Sequence, residues 1–171
     1  MRIINLIVVH CSATREDCTL SPEDLDRLHR RRGFNGTGYH YYIRKDGTVH
    51  LTRPVERIGA HAKGFNAHSI GICYEGGLDC RGHPADTRTP AQRATLRQLV
   101  GQLQEKFSGC RVCGHRDLSP DLNGNGEIEP EEWIKQCPCF DASREFGESA
   151  IGAVSTEEHR VTQLFKDTER R

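Results

Sequence analysis

Apolar residues gather in short β-branched runs that predict strands. The run from Ile3 to Val9 predicts a buried central strand, and His10 stands at its C-terminal end. Four further runs predict strands at Tyr39 to Arg44, Thr48 to Thr52, Ile70 to Glu75 and Cys110 to His115. The Asp46 and Gly47 pair between the first two predicts a hairpin, because this pair favours the tight turn that joins antiparallel strands.

Two segments between these runs have helical features. Ser21 offers an N-cap, Pro22 suits the first helical position, and acidic residues follow, so a helix is expected to run to about Arg32. From Pro90 to Phe107, apolar residues recur at helical spacing, which predicts an amphipathic helix. Helices that alternate with strands, together with one hairpin, predict the α/β class, with a mixed central β-sheet flanked by helices.

The length of 171 residues fits a single domain with a sizeable core. After Asp141 the apolar periodicity is lost and the chain becomes charged. We therefore expect a folded domain over residues 1–141, and a polar tail or peripheral helix over residues 142–171.

Charge and hydropathy narrow the classes of partner. Lys plus Arg and Asp plus Glu number 24 each, so no net field favours nucleic acid. No apolar run is long enough to span a membrane, and Ile3 to Val9 is not followed by the small-residue cleavage site of a signal peptide. These features leave the localisation open.

The eight cysteines allow a disulfide framework, metal ligands or inert buried thiols. Cys11 and Cys73 fall in apolar strands and are expected to be buried thiols. Cys18 and Cys80 lie near loops and could pair in an oxidising compartment. A structural zinc site in an interaction protein is a further alternative, and its four cysteines would be Cys110, Cys113, Cys137 and Cys139.

Three segments carry residues that zinc prefers, around His10, His115 and Cys137. Two histidines and one cysteine would form a catalytic zinc site that keeps its fourth position for water. Residue types alone leave open that each histidine is a hydrogen-bonded structural residue, and they do not choose between Cys137 and Cys139.

Five segments, in this order along the chain, resemble the N-acetylmuramoyl-L-alanine amidases, a family that includes amidase-type phage lysozymes and peptidoglycan recognition proteins. The resemblance extends from about Ile3 to Asp141. The segments are His10 to Thr14, Gly38 to Ile43, Gly59 to Asn66, Gly114 to Asp117 and Lys135 to Pro138.

The resemblance implies a zinc-dependent enzyme that hydrolyses the amide bond between N-acetylmuramic acid and L-alanine. The implied zinc ligands are His10, His115 and Cys137, because Cys137 stands two residues after the lysine and directly before a proline, like the family's third ligand. Tyr39 and Lys135 would be catalytic: Tyr39 would orient or deprotonate the attacking water, and Lys135 would stabilise the oxyanion.

The resemblance also implies that His61 and Asn66 bind the substrate, which would be peptidoglycan or a muropeptide. We expect the protein to be a monomer. A rival hypothesis is a recognition protein of the same fold that binds peptidoglycan without cutting it. The presence of Tyr39, Lys135 and Cys137 favours the enzyme, because non-catalytic members of the family lack the third ligand.

The segment from Asp121 to Glu132 has the spacing of an EF-hand calcium loop, although the helices that normally flank such a loop are missing. Glycine occupies its sixth position and isoleucine its eighth. A polar, glycine-rich connection is the alternative to a calcium site. The candidate calcium ligands are Asp121, Asn123, Asn125, Glu127 and Glu132.

Overall fold

The computed structural model describes residues 2–147. Its strands are β1 (Leu6–Cys11), β2 (Thr14–Arg15), β3 (Tyr41–Ile43), β4 (Val49–Leu51), β5 (Ser69–Tyr74), β6 (Gly77–Leu78) and β7 (Arg111–Gly114). Its α-helices are α1 (Pro22–Arg31), α2 (Pro90–Lys106) and α3 (Ala142–Phe146).

The main sheet has five strands in the order β4-β3-β5-β1-β7. Strands β3 and β4 are antiparallel, whereas β3, β5, β1 and β7 run parallel to one another. This arrangement confirms the mixed sheet, and the turn at Gly47, where φ is +85°, confirms the hairpin. A second, two-stranded sheet pairs β2 with β6.

Strand β1 begins three residues later than the apolar run predicts. Leu6 pairs with Ser69 of β5 and with Arg111 of β7, so the ladder begins where both neighbouring strands begin. Ile3 lies outside the ladder and is 81% exposed. His10 is consequently the penultimate residue of β1.

Both long helices begin directly after a capping residue, and the cap of α1 is the one that the sequence predicts. Ser21 caps α1 by accepting a hydrogen bond from the Asp24 backbone N–H at 3.1 Å. Thr89 and Gln92 form a capping box at the start of α2. The four apolar residues that predict the inner face of α2 are all buried: Leu96, Leu99, Val100 and Leu103.

Side chains alternate between the two faces of the central strand, and this alternation decides where the site lies. Ile7 and Val9 belong to the large core cluster that also contains the inner face of α2. Leu6 and Val8 belong to a smaller cluster on the other face. His10 follows the same alternation as Val8, so its side chain lies on the face opposite α2.

Helix α3 falls inside the segment predicted to be a polar tail or peripheral helix. Ala142 is fully buried and Phe146 is 4% exposed, both in the large core cluster. The boundary expected at Asp141 therefore precedes a helix that packs in the core, and the rest of the predicted tail lies outside the described residues. Within residues 2–147 no helix is long and apolar enough to cross a membrane.

Candidate active site

Two histidines and one cysteine come together at the carboxyl edge of the main sheet. His10 lies near the end of β1 and His115 directly follows β7, and these parallel neighbours bring their carboxyl ends to one place. The potential ligand atoms of His10, His115 and Cys137 all lie within 4.8 Å of one another. Among residues 2–147, no other group of three or more His, Cys, Asp or Glu side chains lies close enough together to hold a metal ion.

Backbone contacts hold Cys137 beside these strands. The Arg116 N–H donates to the Cys137 carbonyl at 2.8 Å, and the Cys11 N–H donates to Cys137 Sγ at 3.2 Å. Pro138 packs so closely on Gly114 that a Cβ there would lie 2.5 Å from the proline Cδ. The segment therefore turns the Cys137 thiol towards the histidines.

Both histidines of the group favour the neutral form, which is the form that binds metal. His10 is 1% exposed, and burial lowers its pKa well below the ordinary value, assisted by the neighbouring His61, His115 and Lys135. Burial, followed by the charge of Lys135, lowers the pKa of His115 to about 4. Near neutral pH both rings carry an unprotonated nitrogen.

The donor set fits zinc. His10 Nδ1 lies 3.8 Å from Cys137 Sγ, and His10 Nε2 is turned away to a hydrogen bond with His61. Two imidazole nitrogens and one sulfur match a catalytic zinc site with three protein ligands and an open fourth position.

The four-cysteine alternative does not form within the described residues. Cys110 belongs to the large core cluster and donates through Sγ to the Ile4 carbonyl at 3.3 Å. Cys113 belongs to the smaller cluster, on the opposite face of the sheet. The two thiols therefore cannot share one metal ion with Cys137 and Cys139.

The residues predicted to be catalytic flank the group. The ring centroid of Tyr39 lies 5.0 Å from that of His10. Burial raises the pKa of Tyr39 well above its ordinary value, with a further contribution from Cys73 and Cys137, so its hydroxyl remains protonated. Lys135 is exposed, and its positive charge contributes to the lowered pKa values of both His10 and His115.

The residues predicted to bind substrate make contacts within the protein itself. His61 is only 9% exposed, and its Nδ1 lies 3.1 Å from His10 Nε2. Asn66 accepts the backbone N–H groups of His61 and Ala62 through Oδ1, both at 2.9 Å, and thereby closes the loop. Ser69, a residue that sequence reasoning missed, lies behind His61 with its Oγ 3.3 Å from His61 Nε2.

The glycine-rich segment from Asp121 to Glu132 is closed by its own carboxylates. Asp121 accepts the N–H groups of Gly124 and Gly126 at 2.6 and 2.8 Å. Glu132 accepts the Leu122 N–H at 2.7 Å and the Glu129 N–H at 3.0 Å. Calcium binding by this segment stays a prediction.

Fold and site together define an α/β protein with one histidine- and cysteine-lined candidate metal centre. The N-acetylmuramoyl-L-alanine amidase family matches residues 1–138. An endolysin of Klebsiella phage KP32 is 36% identical over 138 residues, which are 81% of this chain and 82% of that protein.

Solved structures agree with this match. The amidase LysC from Clostridium intestinale is 30% identical and superposes with a TM-score of 0.62 over 83% of this chain and 80% of its own. Drosophila PGRP-LB, at 21% identity and a TM-score of 0.61 over 94% of this chain and 88% of its own, shares the fold. The chain belongs to the N-acetylmuramoyl-L-alanine amidase family and is a hydrolase of that class.

Proposed function

We propose that the chain hydrolyses the amide bond between N-acetylmuramic acid and L-alanine in peptidoglycan, and that it requires zinc bound by His10, His115 and Cys137. The observation that carries the proposal is the approach of their ligand atoms to within 4.8 Å at the carboxyl edge of the sheet. Membership of the amidase family supports the choice of this amide bond as the one that is cleaved.

Each neighbouring side chain has a task that follows from its position. Zinc, when bound, would polarise the amide carbonyl and make a water molecule acidic enough to attack near neutral pH. Tyr39, protonated beside His10, would donate a hydrogen bond that orients the attacking water or the tetrahedral oxygen. Lys135, whose positive charge acts on both histidines, would stabilise negative charge on the carbonyl oxygen as it develops.

Digestion of purified muropeptides, with mass analysis of the products, tests the reaction. We expect free stem peptides with L-alanine amino termini, loss of this release after chelation, and its recovery when zinc is restored. Release that survives complete removal of metal would contradict the zinc requirement. Binding of muropeptides without any release would instead support the recognition-protein alternative.

A matched pair of cysteine variants tests the third ligand. Cys137→Ser should lose most of the zinc and most of the activity, because a hydroxyl replaces the thiolate beside the histidines. Cys139→Ser is the control, since Cys139 Sγ donates to the Gly77 carbonyl at 3.3 Å instead of facing the histidines. Full zinc in Cys137→Ser, with metal loss in Cys139→Ser, would move the ligand to Cys139.

A further inference from the structure

The ring of His61 lies in a slot that two glycines make possible. A Cβ at Gly59 would lie 2.5 Å from His61 Cδ2, and a Cβ at Gly71 would lie 2.6 Å from both Cγ and Cδ2 of the same ring. Neither glycine has a positive φ, so the backbone conformation does not require glycine at these positions. A larger residue is excluded because its side chain would occupy the space of the His61 ring. The His61 ring consequently has little freedom to move.

The fixed ring belongs to a buried chain of hydrogen-bonding groups. His10 Nε2 lies 3.1 Å from His61 Nδ1, and His61 Nε2 lies 3.3 Å from Ser69 Oγ. Ser69 is fully buried. His10 is 1% exposed and His61 is 9% exposed, so both rings of this chain are buried as well.

A neutral imidazole carries one N–H, so this chain can point in either of two directions. In one direction His10 donates through Nε2 to His61, which donates to Ser69, and His10 Nδ1 is left unprotonated on the side of Cys137. In the other direction Ser69 donates to His61, which donates to His10, and the proton then on His10 Nδ1 would block that nitrogen as a ligand. Only the first direction is compatible with a metal ion at His10 Nδ1.

We propose that His61 is a positioning residue for the metal centre: it accepts the Nε2–H of His10 and so holds the unprotonated Nδ1 towards Cys137 and His115. Ser69 supports this tautomer by accepting the Nε2–H of His61. The inference rests on the zinc binding proposed above. It gives His61 a role through His10, in place of the substrate contact that the sequence predicts.

The test measures zinc affinity by competition with a chromogenic chelator. His61→Leu places an apolar side chain of similar size in the slot and removes the hydrogen-bond acceptor. We expect about 10- to 100-fold weaker zinc binding. His61→Asn restores an oxygen acceptor near the position of Nδ1, and it should recover part of the affinity. Leu103→Ala is the control for general destabilisation, because it creates a cavity under α2 on the opposite face of the sheet.

The outcomes separate this inference from the proposed function. If the unaltered protein binds no zinc, the proposed function fails. If it binds zinc and His61→Leu binds equally tightly, only the positioning role is overturned. If His61→Leu does not fold, the zinc affinity of Ser69→Ala is measured instead. A loss of zinc affinity of less than one order of magnitude supports the hydrogen-bonded chain, and unchanged zinc affinity contradicts it.

A separate observation concerns the thiols of Cys11 and Cys139. Cys11 Sγ and Cys139 Sγ lie 3.9 Å apart, at the edge of the large core cluster. Gly77 makes room for Cys11, because a Cβ at this position would overlap Cys11 Sγ. Since Cys11 belongs to β1 and Cys139 follows Cys137 by two residues, the thiol pair connects the central strand to the segment of the third ligand.

We infer that Cys11 and Cys139 form a disulfide under oxidising conditions and leave Cys137 free for the metal. With oxidised glutathione as oxidant, the two thiols lose two hydrogen atoms and form one S–S bond, and the glutathione disulfide is reduced to two thiols. The cross-link would fasten the segment of Cys137 to β1 and raise the melting temperature of the protein.

Peptide mapping tests this cross-link. After zinc-loaded protein is incubated with oxidised glutathione, alkylated and digested, we expect the peptide of Cys11 joined to that of Cys139, with Cys137 alkylated after unfolding. Cys139→Ser should abolish the cross-link, whereas the exposed Cys18→Ser should retain it. Alkylation of Cys11 and Cys139, or a cross-link through Cys137, would overturn the inference.

Discussion

Burial at the carboxyl edge keeps the rings of His10 and His115 neutral and the hydroxyl of Tyr39 protonated. The same low polarity strengthens any interaction with a charge that forms there during a reaction. Lys135 differs from these residues because it is exposed and retains access to water. The site therefore combines two neutral histidines with one cation at its rim.

Tyr39 and Lys135 lie outside the group of metal ligands, and this predicts the behaviour of two single variants. Tyr39→Phe and Lys135→Ala should each retain zinc, because neither side chain belongs to the ligand group, and each should slow cleavage by ~10²-fold or more. Turnover on muropeptides and zinc content per chain are the two measurements. Near-normal turnover in both variants would show that the family roles of these residues do not apply here.

Buried histidines also predict how the metal-free protein responds to acid. Burial lowers the pKa of His40 from 6.5 to about 4, and that of His61 to about 3. Below pH 6.5 the unfolded chain therefore binds more protons than the folded chain, and stability falls as the pH falls from 6.5 towards 4.

The measurement is the melting temperature of chelator-treated protein. It should decrease between about pH 6.5 and pH 5, where ordinary carboxylates are still ionised. A constant melting temperature over this interval would mean that the histidines take up protons as readily in the folded chain as in the unfolded chain.

Secondary structure elements with a strong local pattern could be predicted from the sequence, and those fixed by tertiary contacts could not. The cap of α1 and the Asp-Gly hairpin act within a few residues, and both appear where expected. Strands β2 and β6 have only two residues each and exist because they pair with each other. Helix α3 is short and charged, and two buried side chains on its inner face attach it to the core.

The segment from Asp121 to Glu132 supports a prediction at the same scale. Because Asp121 and Glu132 already accept backbone N–H groups, calcium would have to compete with these bonds. We expect weak binding, in the ~10⁻⁴ to 10⁻³ M range, and a higher melting temperature only at millimolar calcium.

Titration of calcium into zinc-loaded protein, with the melting temperature as readout, tests this expectation. Asp121→Ala should be less stable without calcium and should not respond to it. An equal response of the variant, or no response of the unaltered protein, would identify an ordinary polar connection.

The topology of the whole molecule brings the site together from distant parts of the chain. His10 and His115 are neighbours because β7 adds to the sheet beside β1, an order that hydrophobic patterns do not reveal. The resemblance to the amidases selected Cys137, which residue types alone could not do. The slot of His61 depends on glycines from two separate segments, so only the folded structure shows it.

The extent of the folding unit gives the last prediction. Phe146 is buried in the core, and Glu145 pairs at 2.9 Å with Arg88, whose side chain is only 1% exposed. A chain ending at Asp141 loses both contacts, whereas a chain ending at Gly147 retains them.

We expect the urea midpoint of the shorter chain to be clearly lower than that of the longer one, because burial of Phe146 alone contributes about 1.5–3 kcal/mol. Loss of Glu145 adds to this difference, since it removes one of the carboxylates that compensate the buried charge of Arg88. Phe146→Ala in the full chain is the matched control and should reproduce a large part of the decrease. Equal midpoints for the two truncated chains would place the end of the folding unit at Asp141, where the loss of apolar periodicity predicts it.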